Sequence, residues 1–135
     1  MKRTAKCLIV VLLLFLFACS SKQLEPITLT EKLSPKLEQV NRLIIQSGST
    51  GESREIDDKA VIDDWFSAVG DIVLYPQEDQ EKRDGFLYAI SLYHDEKNLF
   101  QLSLSYIDGV YYHVDDDMYV ATEQLFQDSK PYSAK

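Results

Sequence analysis

The stretch Phe86 to Val114 reads FLYAISLYHDEKNLFQLSLSYIDGVYYHV, and its alternation of apolar and polar residues decides the fold. Apolar side chains recur at every second position, the period of a strand with one face buried. Folding 86–93 back on 99–106 across His94-Asp95-Glu96-Lys97-Asn98 sets Leu92 opposite Phe100, Ile90 opposite Leu102, Tyr88 opposite Leu104 and Phe86 opposite Tyr106. One face is then wholly apolar or aromatic. The next reversal admits two registers. A two-residue Asp108-Gly109 hairpin aligns Tyr112 with Ser105, whereas a three-residue Ile107-Asp108-Gly109 loop aligns Tyr106 with Val110 and Leu104 with Tyr112. The second keeps the apolar face continuous and is the expected one, with Gly109 left-handed.

Working outward from this core, Asp115, Asp116 and Asp117 introduce a closing helix over about Met118 to Phe126, with Ala121, Leu125 and either Met118 or Phe126 facing inward. Upstream, Leu37 or Val40 to Gln46 (VNRLIIQ) reads as a strand ended by the turn-rich SGSTGES. Asp57 or Asp58 caps a helix running to about Val69, because Ile62, Trp65, Phe66 and Val69 share a face at helical spacing and Gly70 stops it. Asp71 to Tyr75 (DIVLY) is a short strand closed by Pro76, and Gln77 to Asp84 is a charged connector. The order β, α, β, β, β, β, α gives an α+β fold: a mainly antiparallel sheet of four to five strands with two helices on one face.

The chain has 135 residues, and all 22 acidic ones lie beyond position 20, while Lys2, Arg3 and Lys6 sit at the N-terminus. Without those three cations the formal charge falls from −8 by three, to −11, a value that repels phosphate backbones and anionic bilayer surfaces, so no nucleic-acid partner is expected. Residues 1–18, MKRTAKCLIVVLLLFLFA, have a cationic start, an apolar run from Cys7 to Phe17 and a small terminal residue, the order of a secretory signal. Eleven apolar residues at ~1.5 Å each give roughly 16 Å of helix, too short for the ~30 Å bilayer core. Residues 19–36, polar and punctuated by Pro26 and Pro35, read as a flexible tether; 37–127 form a single domain; 128–135 read as a disordered tail.

Leu16-Phe17-Ala18-Cys19 resembles the bacterial lipobox, with Phe17 in place of the usual small or β-branched residue. The resemblance implies that Cys19 receives a diacylglyceryl group and becomes the N-terminus of a lipoprotein held on the extracytoplasmic face of the cell membrane. Cys7 would leave with the signal, so no thiol remains for a disulfide, a metal or a nucleophile. Two acyl chains suffice for stable anchoring, at about 0.8 kcal/mol per buried methylene. The stretch Gly48 to Asp57 (GSTGESREID), DIVLYP and the Tyr-rich hairpin resemble small Gram-positive lipoproteins carrying an uncharacterised domain. That resemblance implies a membrane-anchored surface protein and brings no catalytic residue. A narrower resemblance is to exclusion lipoproteins of conjugative elements, which block a transfer machine.

Enzymatic signatures are sparse: the chain has no G-x-S-x-G, no Gly-rich phosphate loop and no H-E-x-x-H. No cofactor or metal is expected. Asp115-Asp116-Asp117 lacks the spacing and Gly of a calcium loop and is read as a helix cap, as are Asp57-Asp58, with Asp63-Asp64 on a solvated helix face. An envelope hydrolase using these acidic residues is the alternative to a non-catalytic domain that binds an envelope protein or small ligand. Eight tyrosines fall between 75 and 132. In the expected register, Leu87, Ala89, Ser91 and Tyr93, then Leu99, Gln101, Ser103 and Ser105, then Tyr111 and His113 share the sheet face opposite the helices. Amphipathic rings among small hydroxyl residues suit a partner surface, so Tyr93, Ser103, Ser105, Tyr111 and His113 are the candidate binding residues.

Overall fold

The computed structural model describes residues 23–134; the expected signal sequence over 1–18, with Cys7, and the expected lipidation site Cys19 lie outside them. Strands β1 (Arg42–Ser47), β2 (Ser53–Ile56), β3 (Tyr88–His94), β4 (Lys97–Ser103) and β7 (Lys130–Pro131) form one antiparallel sheet in the order β4-β3-β1-β2-β7. Strands β5 (Tyr106–Ile107) and β6 (Val110–Tyr111) form a separate hairpin. Helices α1 (Leu29–Leu33), α2 (Lys59–Val69) and α3 (Asp116–Asp128) complete an α+β fold. Leu43 and Ile45 of β1, Ile56 of β2, Ile90 and Leu92 of β3 and Leu102 of β4 turn one way into the core, as a period of two requires. The helices answer with Ile62, Trp65 and Val69 from α2 and Met118, Leu125 and Phe126 from α3. Between α2 and α3, the buried Trp65 Nε1 donates to the fully buried Thr122 Oγ1 at 3.3 Å, so neither polar group is left unpaired.

Helix capping follows the sequence. Asp58 accepts from Ala60 N, and Asp115 Oδ1 accepts from Asp117 N and Met118 N at 3.0 and 3.1 Å. Leu92 faces Phe100 and Ile90 faces Leu102, but a bulge then sets Tyr93 opposite Asn98 and His94 opposite Lys97, shortening the expected five-residue connection to Asp95-Glu96. Asp95 takes the positive φ of 53° that this turn needs.

Four expectations are corrected. The region read as a tether over 19–36 is built into the domain from Ile27 onward: Ile27 exchanges hydrogen bonds with Leu74 at 3.0 and 2.8 Å, and Leu29 and Leu33 are fully buried. Thr28 and Glu31 close a capping box there, each accepting from the other's backbone N–H at 3.2 Å. The expected disordered tail, 128–135, begins with the last residue of α3 and continues as β7, which pairs with Arg54 and Glu55. The stretch 71–75 makes only isolated bridges, Ile27 to Leu74 and, just beyond, Pro76 to Tyr112, while the unexpected β2 occupies the sheet. Strand β2 contains one aliphatic residue, Ile56; at its other inward position Arg54 lays its guanidinium over the Phe126 ring at 5.1 Å.

The fourth correction is the hairpin register. Tyr106 pairs with Tyr111 and Ile107 with Val110, across the two-residue turn Asp108-Gly109, and Tyr112 N donates to Ser105 O at 2.9 Å. Both turn residues have positive φ, 51° and 85°, the combination whose twist matches that of the strands it joins. Gly109 is thus left-handed as expected, but the loop is one residue shorter. The chain leaves the main sheet after Ser103, so no continuous face binds β4 to β6. Ile107 is consequently buried, and Tyr106, expected in the core, is 43% exposed, as Phe86 is at 39%.

Candidate functional site

The face of the sheet turned away from the helices carries Gln46 from β1, Ala89 from β3, and Gln101 and Ser103 from β4. Near the β4 side it is not a plain solvated surface. The connector 77–86 crosses on one flank and the β5–β6 hairpin stands on another, enclosing a cleft of about 680 Å³. Its floor is Gln46, Ala89, Gln101 and Ser103; its walls are formed by Gln80, Lys82, Arg83 and Phe86 of the connector together with Tyr106, Asp108 and Tyr111 of the hairpin.

Tyr111 holds these walls together. Gln77 N donates to Tyr111 O at 2.9 Å, and the Gln80 side chain both accepts from Tyr111 N at 2.8 Å and donates to Tyr111 O at 2.9 Å. The Tyr111 hydroxyl accepts from Arg83 N at 2.9 Å and donates to Arg83 O at 3.2 Å, while the Arg83 guanidinium lies 4.5 Å from the centre of its ring. Arg83 also donates to Asp79 O at 2.7 Å. The Tyr106 and Tyr111 rings pack 4.7 Å apart. A charged connector without regular structure is therefore tied down at both its amide and its aromatic contacts. Lys32 pairs with Asp108 at 2.5 Å and holds its carboxyl below the usual carboxylate range, while burial pushes the neighbouring Tyr112 phenol up.

The five residues singled out from the sequence do not converge. Ser103 and Tyr111 line the cleft, although Ser103 Oγ is engaged as the acceptor for Tyr106 N at 3.0 Å. Tyr93 lies under the Arg42 guanidinium, 4.7 Å from its ring centre, and Arg42 is in turn held by Glu55 at 3.3 Å and Glu96 at 3.8 Å. Ser105 accepts from Tyr112 N in the hairpin. His113 is exposed beyond the end of β6, where its N–H donates to Tyr75 O at 2.9 Å. Gln80 and Arg83 belong to the loop around Glu78 to Asp84, which the sequence offers only as the alternative place for a site, and Phe86 was expected on the core face.

Strand β4 is the sheet edge beside this cleft, and among the described residues it pairs only with β3. Because Leu104 N donates to Tyr88 O, the alternation of an antiparallel ladder turns the backbone groups of Gln101 and Ser103 outward. The opposite edge is guarded: β7 has two residues, and Pro131 has no N–H to offer. The carboxylate pairs have structural duties. Asp57 binds Lys130 at 2.7 Å, Asp58 caps α2 and Asp63 pairs with Lys59. Among the described residues no group of three or more His, Cys, Asp or Glu is placed to hold a metal ion, and no helix is long and apolar enough to cross a membrane. Compared with protein-family models, curated proteins and solved structures, the chain matches none.

Proposed function

We propose that this chain is a non-catalytic, lipid-anchored binding module on the extracytoplasmic face of a cell membrane, and that it engages an extended segment of another envelope protein along the β4 edge. The anchor rests on Leu16-Phe17-Ala18-Cys19 at the end of the apolar run. The observation that carries the binding half is the open edge of β4 beside a preformed cleft. Outward N–H and C=O groups at Gln101 and Ser103 supply a strand-like ladder, and the cleft receives side chains on the floor side of the added strand.

The anchor is tested by labelling cells with a traceable fatty acid. The natural chain incorporates label and sediments with membranes, and Cys19→Ser does neither. Equal incorporation by Cys19→Ser overturns the anchor. The binding half is tested with Gln101→Pro, which removes one outward N–H at an edge position where proline is tolerated. Loss of the chain's envelope complex with an unchanged melting temperature supports the edge; retention of the complex contradicts it.

A further inference from the structure

We propose that a second surface, the outer side of a small ribbon where the chain enters the domain, rests on the bilayer itself; this extends the reading of Cys19 as the acylated residue. The ribbon pairs 26–28 with 72–77 through the Ile27 to Leu74 bridge. The second of these strips alternates cleanly. Leu74 is 1% exposed and faces the core, whereas Val73 and Tyr75 on either side are 46% and 60% exposed. Leu24, just before the ribbon, is 41% exposed. An aromatic and two aliphatic side chains thus stand in water around the point where the chain joins the fold.

Chain length says what covers them. Leu24 lies five residues after Cys19, which at ~3.3–3.6 Å per residue limits their separation to roughly 18 Å. With the tether this short, the headgroups are within reach of Leu24, Val73 and Tyr75. A tyrosine ring, apolar in body and polar at its tip, suits that depth. Glu25 and Asp71 flank the patch, so apolar contact and not attraction to anionic lipid drives it.

The test uses the full acylated chain in phosphatidylethanolamine and phosphatidylglycerol vesicles, with a spin label on Val73→Cys or, separately, on Val120→Cys, an exposed position of α3. The label at 73 should lose most of its collisions with a water-soluble nickel chelate and keep those with oxygen, while the label at 120 keeps both. Adding Tyr75→Ser should restore nickel access at 73. Equal accessibility at 73 and 120 in acylated protein overturns this inference and leaves the anchor intact. Dipolar broadening between labels at 73, independent of lipid, overturns it in favour of a second copy of the chain. Absence of acyl incorporation at Cys19 overturns the anchor and this inference together.

Discussion

The side-chain amide of Gln80 exchanges two hydrogen bonds with the backbone of Tyr111, accepting from its N–H at 2.8 Å and donating to its carbonyl at 2.9 Å. A side chain thereby fills the place of a neighbouring strand on β6, and the connector that carries it becomes a wall of the cleft. Gln80→Leu leaves the Tyr111 N–H and C=O without those partners, which should destabilise the protein by about 1–3 kcal/mol. Amide exchange at Tyr111 should accelerate more than at Ile90 in the central sheet. Unchanged protection at Tyr111 would mean that Gln80 does not hold the wall.

Leu29 and Leu33 are fully buried in a segment whose composition reads as a linker. Leu29→Ala and Leu33→Ala should each cost about 2–5 kcal/mol in chemical denaturation, the range for emptying a packed leucine site. Neutral effects would restore the tether.

The Trp65 to Thr122 hydrogen bond sits between two helices in the dry core. Thr122→Val keeps the shape but strands the indole N–H, and should cost about 1–3 kcal/mol. Thr122→Ser retains the acceptor and should recover part of that loss. A loss from Thr122→Ser as large as that from Thr122→Val would assign Thr122 a packing role alone.

Two exposed carboxyls, Asp57 and Asp108, are held below the usual range chiefly by hydrogen bonds from Lys130 and Lys32. A depressed folded pKa contributes stability above the unfolded value of about 3.9, and that contribution disappears as pH falls through the lower folded value. The natural protein should therefore lose denaturant resistance more steeply below about pH 4 than Asp57→Asn/Asp108→Asn. Lys130, raised chiefly by its hydrogen bond to Asp57, acts at the other end: its contribution is complete below about 10.4 and fades as pH rises through its folded value. Parallel acid profiles for the two proteins would remove both pairs from the stability account.

The central hairpin pairing, both long helices and their caps were legible because periodicity and capping are local signals. Ile90, Leu102, Ile62 and Trp65 landed where their spacing put them. The misread segments have identifiable physics. Residues 19–36 read as a tether on their polar composition and on Pro26 and Pro35, and the Thr28-x-x-Glu31 capping box that starts α1 went unread. Strand β2 escaped because a guanidinium, not an aliphatic chain, fills its second inward place. The Asp108-Gly109 register was decided by twist at the turn, not by facial continuity across strands that belong to different sheets. The cleft was half visible: Gln101 and Ser103 followed from alternation, whereas Gln80 and Arg83 reach Tyr111 across 31 and 28 residues by bonds that no spacing rule anticipates. Tyr111, expected as a free anchor, is a structural hub. Replacing it to probe binding would disturb the wall as well.

The most direct measurement of the central claim is site-specific photo-crosslinking in living cells, with the crosslinking residue placed in the full chain at Gln101, on the cleft floor and the open edge, or at Val120, on the far helix. The account expects a discrete adduct with one envelope protein from position 101, absent from 120 and abolished when Cys19→Ser removes the anchor. Adducts of equal yield from both positions, or none from 101 while 120 crosslinks, would contradict it.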